Sequence, residues 1–308
     1  MPTTSLPKAA DERVDWIHNI PFVAVHLLPL LAVFTDVTTF DVLLCISLYF
    51  IRMFFITAGY HRYFSHRAYK VGRVMQVILA FGGGTAAQKG ALWWAAHHRH
   101  HHKYSDTEQD RHSPKKGLFW SHVGWIVCRK YRPTDYSAIK DLASYPELRW
   151  LNKHHWVPPA CLAVGCFLAG GWSALLIGFF LSTVLTYHGT FLINSMTHLF
   201  GRRRYVTTDT SRNSLILALL TLGEGWHNNH HYYQSSANQG FFWWEIDVSY
   251  YVLKLLSLFG LVRDLRNPPQ HVLKANRVAD SHWDVGMLGE KLSDSIATLG
   301  ESPERQHP

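Results

Sequence analysis

Three short stretches concentrate the chemistry of this chain: His61-Arg62-Tyr63-Phe64-Ser65-His66, His97-His98-Arg99-His100-His101-His102, and His227-Asn228-Asn229-His230-His231. In a helix His98, His101 and His102 stand at i, i+3 and i+4 and share one face; His227, His230 and His231 repeat that spacing. Two matching elements fit two metal ions that draw on a shared set of ligands. His61 and His66 are five residues apart, roughly 140° around an α-helix. An unbroken helix therefore sends them to different metals, at the point where the helix ahead of them frays. Asn194 and His198, at i and i+4, point at the same region. Together these positions supply nine imidazoles, with no matching carboxylates and no thiolates. Imidazole suits zinc, copper, iron or nickel. Zinc normally takes three or four ligands, whereas nine imidazoles fit two ions of higher coordination with room for oxygen, which favours iron. The other histidines read differently. His97 and His100 lie off the ligand face, His112, His122 and His188 are isolated polar residues, and His154 and His155 are interfacial.

The elements that must position these groups are apolar. Hydrophobic residues make up 47% of the 308 and aromatics 14%, in long blocks that alternate with polar, basic ones. The 21 histidines are dispersed among aromatics and are not a tag. The four cysteines form no CxxC pair, which argues against thiolate zinc and a disulfide framework. A net charge of +8 suits an acidic surface such as anionic lipid, an acidic carrier protein or coenzyme phosphates. Nucleic acid fits poorly with so apolar a chain. Residues 1–15 are polar with both charge signs, so no cleavable signal is expected.

The pattern predicts an all-α integral membrane protein with four transmembrane helices, at about residues 17–35, 40–60, 156–170 and 172–197, arranged as two hairpins. A cytoplasmic helical cap, residues 61–155 and 198–290, carries the histidine-rich di-metal site. The whole forms one domain over residues 1–290, with a flexible tail at 291–308. The stretch 74–92 is apolar but interrupted by Gly82-Gly83-Gly84, which weakens a spanning helix; it lies in the interface or dips in beneath the site. Residues 250–261 read as an amphipathic helix. Both hairpin turns lack lysine and arginine, and Arg52 alone among the 30 basic residues falls inside a span. The positive-inside rule then puts both termini and every histidine stretch in the cytoplasm.

At this point the chain resembles the membrane fatty acid desaturases, specifically the stearoyl-CoA group. The resemblance runs over about residues 56–231. It is carried by Ile56-Thr57-Ala58-Gly59 before the first histidine stretch, Ser121-His122-Val123-Gly124-Trp125, Asn194-Ser195 before His198, and Glu224-Gly225-Trp226 before the last stretch. It implies as metal ligands His61, His66, His98, His101, His102, His198, His227, His230 and His231, the imidazoles that spacing selects, with Asn194 meeting one of two irons through water. It also implies an O2-dependent enzyme that inserts a cis double bond into a saturated long-chain acyl thioester, an acyl-CoA, between carbons nine and ten. Gln88, Trp94 and Thr190 match the bend of the acyl tunnel, Tyr49 and Met53 its closed end, and Arg129 and Lys130 a basic pair at the coenzyme. The chain departs from animal members at Ala96-His97, where they carry Arg-Asp, and at Lys89, which replaces an asparagine. Both lie on the headgroup side, so the acyl carrier is open between coenzyme A, acyl carrier protein and a glycerolipid. No glycine-rich nucleotide fingerprint, cysteine cluster or His-Pro-Gly-Gly haem signature is present, so a separate donor is expected: a ferredoxin or a small cytochrome with its reductase. The short termini and missing haem domain suit a bacterial member. The rivals are a hydroxylase on the same scaffold and a non-catalytic membrane metal-binding protein.

Overall fold

The computed structural model describes residue 9, residues 11–278 and the two-residue strand Trp283–Asp284. The tail expected at 291–308 lies outside the described residues. Helix α1 (Ile20–Leu27) starts with Pro21 in its first turn, where a missing N–H costs nothing, and continues as a 3-10 segment to Phe34. A capping box opens α2 (Thr39–Phe54): the Thr38 amide donates to Asp41 Oδ2 at 2.8 Å and the Asp41 amide to Thr38 Oγ1 at 3.4 Å. The helix does not stop at His61. It widens into a π-helix over Phe55–Ser65, so the box lies inside a continuous rod.

Next come α3 (Arg73–Gly84) and α4 (Ala91–Tyr104), then the short α5 (Lys140–Ala143) and α6 (Pro146–Lys153). Helix α7 (Val157–Ser173) carries non-helical backbone at Gly170 and Gly171; a π segment, Ala174–Leu181, leads into α8 (Ser182–Met196). The chain ends in α9 (Leu215–Leu220), α10 (His227–Tyr232), α11 (Val248–Leu258) and α12 (Gln270–Lys274). Sheet structure is slight: Lys70–Val71 pairs antiparallel with Val262–Arg263, and Gly201–Arg202 with Trp283–Asp284.

Among the described residues three helices are long and apolar enough to cross a bilayer: Ile17–Phe34, Thr39–Ser65 and Val157–Met196. They turn large apolar side chains outward, among them Leu30, Val33, Phe34, Leu43 and Leu168. A water-facing surface seldom shows so continuous an apolar belt, and lipid accounts for it. The helical protein is thus membrane-associated. Helix α3, with 12 residues, is too short to cross. Its three glycines do not break it. A Cβ on Gly82 would lie inside the ring of Phe55, and one on Gly83 inside that of Tyr60, so the glycines let α3 seat directly against the π-helix. Beneath the apolar belt, Phe64, Tyr69, Leu92, Ile139, Leu148 and Leu253 form a buried cluster that joins the π-helix, α4, α6 and α11.

The buried Arg52 finds no acid among the described residues. Its guanidinium donates to Thr183 Oγ1 at 2.7 Å, to Ser182 Oγ, and to the Leu48 carbonyl at 3.1 Å, and it sits 5.9 Å from the centre of the Phe179 ring. It faces the helix bundle, not lipid.

Candidate metal centre

Two histidine groups close in space emerge from this scaffold. His61, His66, His98, His102 and His230 form one; His101, His198, His227 and His231 form the other; within each group the ligand atoms lie within 4.8 Å of one another. The sequence expectation for the first box is corrected here: His61 and His66 belong to the same group. The reason is the π-winding. The His66 amide donates to the His61 carbonyl at 3.2 Å, an i→i+5 bond that brings residues five apart onto one side. The rings sit 4.9 Å apart, centre to centre.

Helix α4 delivers its three histidines to both groups. His98 and His102, one turn apart, go to the first with their Nε2 atoms 2.9 Å from each other, while His101 goes to the second. Helix α10 does the converse, sending His227 and His231 to the second group and His230 to the first. In the first group Nε2 atoms approach each other in a chain: His66 to His98 at 2.9 Å, His102 to His230 at 2.9 Å, and His230 to His61 at 3.0 Å. In the second, His198 and His227 approach through Nε2 at 3.1 Å.

Four carboxylates, which spacing alone had not picked out, fix the tautomers. His61 donates from Nδ1 to Glu224; His101 Nδ1 lies 3.1 Å from Asp110, His198 Nδ1 3.3 Å from Asp106, and His231 Nδ1 2.7 Å from Asp209. A proton on Nδ1 leaves a lone pair on Nε2, pointing inward. Burial alone would raise the acids; for Asp106, Asp110 and Asp209 the histidine opposite outweighs it, and for Glu224 both His61 and Arg62 do, so all four are held below the usual carboxylate range. Arg62 reaches Glu224 from Nε at 3.1 Å and Asp247 from Nη1 at 2.8 Å. Gly223, at φ +121°, leaves the space for that arginine: a Cβ there would strike Asp247 and Arg62.

The imidazoles themselves are poised to ligate. Burial, then neighbouring histidines, hold His66, His98, His102, His227 and His230 well below the ordinary histidine value, so they are neutral. His198 is the exception: Asp106 overcomes burial and raises it, which makes it the more basic donor. Lone pairs about 3 Å apart cannot satisfy one another, and His231 Nε2 is buried with no partner among the described residues. A cation in each group answers both problems. Neutral imidazoles backed by carboxylates are a metal-binding arrangement.

Of the other sequence-selected residues, Gln88, Trp94, Thr190 and Asn194 line a cavity of about 550 Å³, together with His98. Gln88 Nε2 donates to Thr190 Oγ1 at 2.9 Å, and Trp94 stacks on His98 with centres 4.8 Å apart. Tyr49 and Met53 stand elsewhere, packed on Gly189 of α8, where a Cβ would lie 2.7 Å from Met53 Cε and 2.9 Å from the Tyr49 hydroxyl. Arg129 and Lys130 are exposed, and Lys130 is already paired with Asp11 at 2.8 Å. Three histidines read as isolated are not. His122 Nε2 meets His188 Nδ1 at 2.9 Å, and His112 stacks on His101 at 4.1 Å beside Asp110. His97 lies outside both groups; Arg111 donates to its Nδ1 at 2.6 Å, and burial with that charge lowers it to about 3.

Fold and site together define a class: a helical membrane protein with paired histidine groups that could hold metal, beside an apolar cavity. Comparison with known proteins narrows it. The fatty acid desaturase family model matches residues 39–266. The sn-1 stearoyl-lipid 9-desaturase of Synechocystis sp. is 37% identical over 273 residues, covering 87% of this chain and 86% of that protein. The sn-2 palmitoyl-lipid 9-desaturase of a Nostoc species is 36% identical, covering 84% and 93%. A probable acyl-CoA desaturase of Schizosaccharomyces pombe is 35% identical, covering 92% of this chain and 61% of its own. The chain belongs to the fatty acid desaturase family.

Proposed function

We propose that this protein inserts a cis double bond between carbons nine and ten of a saturated long-chain acyl group, using O2 and two electrons from a separate ferredoxin or small cytochrome. The observation that carries the reading is the contact of the histidine groups with one apolar cavity: His98 of the first group lines it, and so does His112, which stacks on His101 of the second at 4.1 Å. His61, His66, His98, His102 and His230 would hold one iron, and His101, His198, His227 and His231 the other, with Asn194 acting through water. When bound, the iron pair supplies the oxidising power that an unactivated methylene requires, since no side-chain base can remove an alkane proton. The balance is one acyl chain, O2, two protons and two electrons giving the alkene and two waters. The chain's own residues contribute orientation and dryness. Trp94, stacked on His98, lines the cavity beside it, and the Gln88–Thr190 bond would brace the wall where the acyl chain bends.

In the membrane we take the break at Gly170 and Gly171 as the turn of a second hairpin, giving four crossings. The histidine groups and both termini then face the cytoplasm, in a single domain over residues 1–290. On the carrier the relatives divide between acyl lipids and acyl-CoA. Expression in a host lacking unsaturated fatty acids, followed by mass spectrometry of its lipids, tests the reading. Monounsaturated chains are expected; hydroxylated chains, or no oxygen-dependent product, would overturn it.

A further inference from the structure

The cavity runs between two membrane helices. Pro21, Phe22 and Val25 of α1 form one wall and Pro159, Ala160 and Ala163 of α7 another, each an i, i+1, i+4 stripe. Lys89, Arg132 and His155 also line it. The Lys89 amine has no hydrogen-bond or ion-pair partner among the described residues, although its carbonyl accepts from Tyr60 at 3.2 Å. Arg132 pairs through Nη1 with Asp15 at 3.0 Å, while its buried Nη2 is unpartnered. The Trp125 indole N–H, in the same lining, is a second buried donor with no acceptor among the described residues. Burial, and then the charge of Arg132, lower the Lys89 amine, so two cations share this lining, and the acid beside Arg132, Asp15, also meets His18 at 3.0 Å.

We propose that Lys89 and Arg132 form an anion site for the single phosphodiester of an anionic glycerophospholipid, whose acyl chain enters sideways from the bilayer between α1 and α7. Trp125 Nε1 is then the donor for the acyl ester carbonyl. This rests on the desaturase reading and names its substrate class. Charge decides between carriers. Two cations less Asp15 leave one net positive charge, which matches a phosphodiester. Coenzyme A brings a pyrophosphate and a phosphomonoester, and two of the cations of the adjoining basin are held by acids, Lys116 by Glu12 at 2.9 Å and Lys130 by Asp11 at 2.8 Å, while Arg111 donates to His97 at 2.6 Å. The adjoining basin adds further acids, Glu108 and Asp135.

The full-length protein in phosphatidylcholine nanodiscs, doped with either phosphatidylglycerol or phosphatidylcholine brominated on the stearoyl chain, reports binding by tryptophan quenching. Phosphatidylglycerol should quench at lower mole fraction; Lys89→Gln and Arg132→Gln should each weaken it about fivefold, and Arg132→Lys should restore it. Equal quenching by the two lipids, variants that bind like wild type, or displacement by stoichiometric stearoyl-CoA would each overturn the proposal. Acyl-chain product, measured in parallel with reductant supplied, separates the two ideas. Lipid preference without any product refutes desaturation and leaves the anion site standing. Product from stearoyl-CoA without lipid preference refutes the site and leaves desaturation standing.

Discussion

Asp209→Asn tests whether the acids behind the histidines tune the metal ligands. Asp209 Oδ2 accepts from His231 Nδ1 at 2.7 Å, and both side chains are almost wholly buried. The same acid takes the Ser211 amide at 2.9 Å and the Thr207 hydroxyl at 3.1 Å, so its oxygens cannot swing away. The amide keeps the shape and removes the charge. His231 then loses its ionised acceptor, its Nε2 becomes a poorer donor, and one metal of the pair should be held about 10- to 100-fold more weakly, roughly 1.4–2.7 kcal/mol. Only the second histidine group contains His231, so the loss should fall on one ion. Anaerobic chelator competition with iron counted by mass spectrometry gives the number: two irons resist in wild type, one in Asp209→Asn. Asp264→Asn is the control, because among the described residues that acid pairs with the exposed Lys70, away from the histidines. Two irons equally resistant in Asp209→Asn would refute the reasoning, and so would an equal loss of both in the control.

Three further outcomes follow from the same coordinates. The family resemblance puts Met53, a side chain 1% exposed and packed on Gly189, at the closed end of the acyl tunnel; on that reading Met53→Ala should shift the product profile to longer acyl chains, and an unchanged profile by gas chromatography separates Met53 from the tunnel end. Arg52→Met should leave thermal stability unchanged or raised, because Ser182 and Thr183 already donate to the Phe179 carbonyl at 3.1 and 2.7 Å and a buried cation carries a desolvation cost; a large fall in melting temperature contradicts this. Glu12, buried with Lys116 and Tyr131, is held below the ordinary glutamate value: burial would raise it, but Tyr131 and Lys116 outweigh that. Its depressed carboxyl contributes stability that is whole above the ordinary glutamate value and lost as pH falls through its own lower one. Cleavage near residue 12 should therefore rise on acidification and be constitutive in Glu12→Gln, read by limited proteolysis.

What the sequence makes legible is residue type and local period. The i, i+3, i+4 spacing of His98, His101 and His102 needs only an α-helix to be read, and both ligand-bearing helices are α-helical. The apolar blocks are read from composition in the same way. What escapes is whatever depends on a backbone choice or on distant sequence. An i→i+5 turn leaves no apolar period of its own, so the 140° between His61 and His66 looked prohibitive until the π-winding removed it. Asp209 meets His231 across 22 residues and Asp106 meets His198 across 92, distances at which no pattern links an acid to an imidazole. Arg52 likewise looked unexplained because its hydroxyl partners lie on another helix.

The division of labour between α4 and α10 carries a consequence of its own. Each helix gives two histidines one turn apart to one group and the intervening third to the other, in opposite senses. Neither group is complete without both helices, and a rotation of either helix that improved one group would spoil the other. Fixing such a pair demands support from outside the ligands, and the acids provide it: Asp106 and Asp110 follow α4 directly, and Asp106 also takes the Thr210 amide at 2.7 Å, next to Asp209. Glu224, just ahead of α10, ties His61 to Arg62 and through it to Asp247 at the start of α11. The four acids therefore do two things at once. They set which imidazole nitrogen faces inward, and they join four separate chain segments so that the two groups hold their spacing beside the cavity.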